Sequence, residues 1–329
     1  MTMDPRIKDR VEAFLLDLDH SPVSRHVVGV VVGGSAARGE EIWLGERLLS
    51  DIDLMVLTRR TSPRLIGRID QLLARHRDSG IDGGQVPLGP LAGHLTLAFF
   101  EARANAVVVR GAVDLASVIP PTDPGDLPLW EGIRVLANRL LEHVKYEEGL
   151  VGSERVVAKS YESLAEAYLV LEGRYRPSYA ERLAEIERDP PDAPVDVVVG
   201  MGAALRARVH GRGPTSAEVR PADVSRALDH LLAGFARLAG RHTGVTGAAA
   251  DQVRALAGSE RHWWHRLYWA AVLGRQGRWA EASLSVDPII AVWQRTLGVL
   301  TGSSNSAQRR QLLRDWHLCP QILVRRTHG

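Results

Sequence analysis

A small α/β head followed by an all-helical body is the fold class this sequence predicts. Three features of the 329 residues point to it. Short apolar runs of strand length alternate with helical patterns over roughly the first 110 residues. The segment IPPTDPGDLP at 119–128 then breaks the composition. Beyond it, apolar residues recur at helical spacing almost to the end. The expected domains are therefore 1–120 and 128–329.

Taken in order, Ile7, Val11, Phe14, Leu15 and Leu18 make an apolar helical stripe over 5–19. The run HVVGVVVGGS reads as a buried strand over 27–32 that enters a glycine turn, and SAARGEEI starts a short helix. A second strand is expected within 48–57, around SDIDLMVL. Pro63 opens a helix carrying Leu65, Ile66, Ile69, Leu72 and Leu73, which ends in the turn region at 78–84. A third strand is expected at 85–88, a mixed or helical stretch after Gly93, and a strand within 106–111. The body is expected to hold helices over 129–149, 154–173, 178–188, roughly 216–241, 248–275 and 278–300, with loops at 189–194 and 211–216.

Composition narrows the function classes. With 45% hydrophobic and 24% charged residues the chain is globular rather than disordered. A formal net charge of +2 supplies no field to gather nucleic acid or an anionic membrane. Cys319 is the single cysteine, which excludes an intramolecular disulfide and a cysteine metal cluster. The first residues carry acids and no apolar core of a signal segment, and no run is long enough to span a bilayer, so a cytoplasmic location is expected. Six of the eight tryptophans (Trp263, Trp264, Trp269, Trp279, Trp293 and Trp316) fall in the last third, where such rings anchor helix packing. His262 and His265 lack a third metal ligand nearby in sequence.

Two short segments carry chemistry. Gly33-Gly34-Ser35 ends a strand and begins a helix, placing backbone amides and a hydroxyl where an anion is favoured. Glycine allows the chain to approach a phosphate without a Cβ in the way. The spelling is neither a P-loop nor G-x-G-x-x-G. In Ser50-Asp51-Ile52-Asp53-Leu54, alternation along a strand sends Asp51 and Asp53 to one face. Two carboxylates about 5 Å apart repel by roughly 3 kcal/mol at an effective dielectric near 20. Aspartate is also a poor strand former, so a cation is expected between them, and Mg²⁺ suits a carboxylate pair completed by substrate phosphates.

Gly34-Ser35, Arg38-Gly39-Glu40 and Ser50-Asp51-Ile52-Asp53 together resemble the signature of the DNA-polymerase-β-like nucleotidyltransferase superfamily. Within it, the chain is most similar to bacterial members that nucleotidylate small molecules, antibiotic-modifying enzymes among them. The resemblance implies a small mixed sheet in the head and a helical domain covering nucleotide and acceptor. Gly33, Gly34, Ser35 and Arg38 would lie at the phosphates, with Asp51 and Asp53 as catalytic residues holding Mg²⁺. From the helical domain, Lys159 is the first candidate to grip the nucleotide, then Arg134 or Asn138. The insert EEIWLGERLL before Asp51 is expected to form a hairpin or lid. Members of this superfamily commonly use a third carboxylate on the next strand. The expected strand at 85–88 has none, Asp82 precedes it and Glu101 follows it, and Glu101 is the preferred candidate. The implied reaction moves an NMP from an NTP to a hydroxyl or phosphate of a small molecule. Nucleotidylation of a protein or a tRNA end, or a catalytically silent nucleotide-binding module, are the alternatives; nucleic acid and membrane are not expected partners, and a homo-oligomer is compatible with the sequence.

Overall fold

Helix α1 (Pro5–Asp19) opens the chain: proline needs no amide partner at its first position, and the Asp4 carboxylate accepts from the Arg6 amide at 2.8 Å. The structure, a computed structural model, describes residues 3–60, 62–93, 95–211, 219–259, 270, 273, 287–302 and 304–318. After α1 come β1 (Val27–Val32), a short α2 (Gly34–Arg38), a hairpin of β2 (Trp43–Leu44) and β3 (Arg47–Leu48), and β4 (Ile52–Thr58). Then follow α3 (Pro63–Arg75), β5 (Ile81–Pro87), α4 (Leu88–Gly93), α5 (Leu97–Asn105), β6 (Val107–Gly111) and α6 (Leu115–Val118).

The main sheet has the order β5-β4-β1-β6 and is mixed. β1 pairs antiparallel with both β4 and β6, while β4 and β5 run parallel because α3 returns the chain between them. Alternation along the strands divides the apolar residues between two faces. Val30, Val32, Ile52, Leu54 and Val56 pack with α1 and α3, through Ile7, Phe14, Ile69 and Leu72. Val31 and Leu57 face the other way, onto Leu91, Phe99, Leu115 and Ile119. The hairpin leans on α1, where the Arg6 guanidinium stacks 3.7 Å from the centre of the Trp43 ring.

The helical body comprises α7 (Leu129–Glu147), α8 (Ser153–Leu171), α9 (Tyr179–Arg188), α10 (Val195–Val209), α11 (Pro221–Thr243), α12 (Ala249–Ser259), α13 (Pro288–Thr301) and α14 (Ser306–Leu318). Its core holds Trp130, Leu136, Tyr168, Met201, Phe235 and Trp293, and it reaches back to Leu97 of α5 in the head. Trp130 and Trp293 stack with ring centres 5.2 Å apart, as expected of packing tryptophans, and Trp316 borders the same core.

Several expected boundaries move. The strand expected within 48–57 divides into β3 and β4, leaving Asp51 just outside β4. The strand expected at 85–88 begins four residues earlier, at Ile81. Helix α10 falls where no helix was expected, because its valine and glycine run VDVVVGMG hides the helical period. Helix α11 starts at Pro221, α12 is the described part of the span 248–275, and α13 starts at Pro288. His262, His265, Trp263, Trp264, Trp269, Trp279 and Cys319 lie outside the described residues, as does most of the loop at 211–216. No helix among the described residues is long and apolar enough to cross a membrane.

Candidate functional site

The turn after β1 is shaped around one carboxylate. Gly33 is extended, and its amide donates to the Asp53 carbonyl at 2.8 Å, prolonging the β1–β4 ladder. Gly34 follows with φ at +61°, a conformation glycine adopts without cost. A Cβ at Gly34 would overlap the Asp53 carboxylate, so glycine is needed for space as well as conformation. Ser35, 6% exposed, comes next in α2, which is too short to bring much of a helix dipole.

Asp53 stands on the face of β4 opposite Ile52 and Leu54, open to a cleft between head and body. Two further acids flank it. Asp51 lies two residues upstream, half exposed, with its carboxylate 3.2 Å from Nη2 of Arg155 on α8. Asp82 of β5 lies directly across the parallel ladder from Asp53 and accepts from the Gly83 amide at 2.9 Å. Gly83 lets the strands close up there, since a Cβ would overlap the Leu54 backbone. Although its side chain still meets solvent, desolvation by the surrounding protein pushes the Asp53 carboxyl up to about 6, and the negative charges of Asp51 and Asp82 push the same way. Lys159 of α8, held 2.9 Å from Glu162, is the cation that pulls it back.

Asp82 is a third acid beside the pair, and the charge of Glu101, the candidate preferred from the sequence, also acts on Asp53 but ranks below that of Asp82. Glu101, from α5, receives Arg38 Nη1 at 2.9 Å, the Tyr175 hydroxyl and Arg182 Nη2. Burial pushes its carboxyl up, but Arg182, Arg38 and Tyr175 outweigh that and hold it below its ordinary range. A carboxylate so engaged is a poor proton acceptor, and Glu101 acts as a brace between head and body. Arg38 belongs to the same brace: it is 5% exposed and pairs with Glu40 at 2.5 Å as well as Glu101, so its guanidinium is not presented to the cleft as a phosphate ligand. Arg134 is likewise committed, with two hydrogen bonds of 3.0 and 2.8 Å to the fully buried Glu131. The Asn138 Oδ1 is buried without a hydrogen-bond partner among the described residues.

Asp82 was detectable as an acid between Ile81 and a glycine, but Gly83-Gly84 mimics a turn and masks the strand. Arg155 and Arg182 had no local signal, since their partners lie 104 and 81 residues away. Two pockets lie away from the acids, one beside Leu171, Ala236 and Gln252, the other beside Arg25, Arg59 and Leu65.

The donor set of the three acids is all carboxylate oxygen, which suits a hard divalent cation such as Mg²⁺. Among the described residues, no three His, Cys, Asp or Glu side chains converge closely enough to hold a metal by themselves. An ion here would draw its remaining ligands from water and from phosphate. The chain matches no family model and no curated protein.

Proposed function

We propose that the protein is a Mg²⁺-dependent nucleotidyltransferase that moves an NMP from an NTP to a hydroxyl or phosphate of a small-molecule acceptor and releases pyrophosphate. The observation that carries this reading is the Asp53 carboxylate lodged against the Gly34 turn, with Asp51 and Asp82 beside it and its proton affinity raised by their charge. Such a group gains most from an added cation.

Asp51 and Asp53 would hold the ion, with water and phosphate as its remaining ligands, and it neutralises charge on the transferring phosphate when bound. The amides after Gly33 and the Lys159 ammonium orient the triphosphate from opposite walls of the cleft. Among the described residues Asp82 carries no ion pair, and it is the group assigned to take the proton of the acceptor hydroxyl. The acceptor oxygen bonds to the α-phosphorus as the bridge to the β-phosphate breaks, and that electron pair leaves with pyrophosphate. The Arg155–Asp51 pair is half exposed, worth at most about 1 kcal/mol, and readily exchanged for a metal. The same pair favours the second reading, a silent nucleotide-binding module, if it persists when nucleotide binds.

Pyrophosphate release from a panel of NTPs, with a small-molecule fraction of cell extract as acceptor source, separates these readings. Asp53→Asn and Asp51→Asn are expected to lower Mg²⁺-dependent release on the order of a thousandfold, the several kcal/mol a Lewis acid supplies. Unchanged turnover in both variants overturns the site; nucleotide binding without release on any acceptor selects the silent module.

A further inference from the structure

Three guanidiniums surround the ring of Tyr179, with Arg38 at 5.3 Å and Arg182 and Arg208 each at 4.9 Å from its centre. The fold treats them differently. Arg38 pairs with Glu40 and Glu101, and Arg182 with Glu101 and Glu166. Arg208 of α10 is 5% exposed, yet among the described residues its side chain makes no ion pair and no hydrogen bond, and its Nε is buried without a partner. Arg139 of α7 repeats the pattern: its Nε is buried and unpartnered, and no acid comes within ion-pair distance among the described residues. The charges of both guanidiniums act on Glu162, which the Lys159 ammonium already occupies at 2.9 Å; Arg139 also acts on Glu142 and Glu166, and Arg208 on Glu40. The neighbouring acids are engaged too, Glu142 by Lys145 at 2.7 Å and Glu166 by Arg182 at 2.6 Å.

A buried guanidinium nitrogen without an acceptor is costly, and a fold that sets two such groups, the buried Arg208 and the partly exposed Arg139, around one carboxylate has left room for a second anion. We propose that Arg139 and Arg208 form an oxyanion subsite next to Lys159, for a phosphate or carboxylate group carried by the acceptor or by the tail of the nucleotide. Guanidinium is the group best suited to this, because its planar fork matches two oxygens of a phosphate or carboxylate. The naming of these two sources rests on the nucleotidyl-transfer reading; the subsite itself does not. An acidic acceptor fits this wall of the cleft. A polycationic one would meet two unpaired cations, and acids at Glu142, Glu162 and Glu166 that already have partners.

The test is titration of inorganic phosphate into the full chain, with and without saturating Mg²⁺-ATP, for the wild type, Arg139→Gln, Arg208→Gln and Arg208→Lys. Wild type is expected to bind phosphate, each glutamine variant to lose at least tenfold in affinity, and Arg208→Lys to retain part of it. Without phosphate, Arg208→Gln is expected to melt close to the wild-type temperature, because among the described residues the Arg208 side chain makes no ion pair or hydrogen bond that the variant would lose. Phosphate that still binds beside ATP marks the group as the acceptor's; phosphate displaced by ATP marks it as the nucleotide's. Wild-type phosphate affinity in both glutamine variants, or no phosphate binding by the wild type, overturns the subsite. So does an Arg208→Gln melting loss that lysine repairs with phosphate affinity unchanged. Asp53→Asn is expected to keep phosphate binding, so failure of the metal site and failure of the subsite are read apart.

Discussion

Two charged clusters start from neighbouring parts of the head and are handled in opposite ways. The brace built on Arg38 and Glu101 is buried, joins α2 and α5 to α8 and α9, and matches each carboxylate with a guanidinium or a hydroxyl. The acids Asp51, Asp53 and Asp82 crowd one end of the β4–β5 ladder, and the only ion pair among them, within the described residues, is that of Asp51 with Arg155. Balanced charge in the interior fixes how head meets body. Unbalanced charge in an open cleft does nothing for the fold and raises the proton affinity of Asp53 instead. The contrast separates residues that hold the architecture from the residues to which the proposed function assigns the ion, and it can be broken from either side.

The largest effect is expected from the brace. Arg182→Met leaves Glu101 and Glu166 buried without their main cation, and loss of one partner of a buried pair costs on the order of 3–5 kcal/mol. Urea unfolding measures it. A loss below about 1 kcal/mol would mean that the brace is replaceable and that the contrast with the cleft acids is wrong.

The cleft should respond in the opposite direction. Asp53 has a folded proton affinity of about 6 against an ordinary value of 3.8. Between those values the native state holds more protons than the unfolded chain, so Asp53 makes the metal-free protein less stable as pH rises through that window. Asp53→Asn removes that burden. The variant is expected to melt above wild type at neutral pH without divalent ions, with the gap closing as pH falls towards 4. A variant that melts lower at neutral pH would make Asp53 part of the architecture.

How much of this was legible follows from the range of each interaction. The strand at Val27–Val32 and the helix at Pro5–Asp19 appear where the sequence places them, because five valines about one glycine and a capped amphipathic turn are local signals. The glycine turn and Asp53 were equally readable, since each demands a particular residue at a particular backbone position. The engagement of Glu101 leaves no mark on the sequence, because an acid on a helix looks the same whether free or paired, and Arg182 approaches it from a different domain. Helix α10 and Asp82 were hidden for one reason. Glycines that read as breakers are there for close approach, Gly200 beneath the Tyr161 ring and Gly83 against Leu54.

The smallest effect tests the cleft acids as a set. Asp51 outweighs Asp82 in raising Asp53, and desolvation outweighs both. Asp82→Asn is therefore expected to lower the Asp53 midpoint from about 6 only modestly, Asp51→Asn to lower it further, and neither to return it to 3.8. Carbon-detected NMR of the side-chain carboxyls follows each titration directly. Mg²⁺-ATP affinity in the wild type should weaken as pH falls through the same midpoint, since a protonated Asp53 cannot hold the ion. In Asp82→Asn that weakening should shift to lower pH by the same interval, even though overall affinity drops with the lost carboxylate. A midpoint unmoved by either substitution would show that the three charges do not share one site, leaving Asp53 an acid raised by desolvation alone.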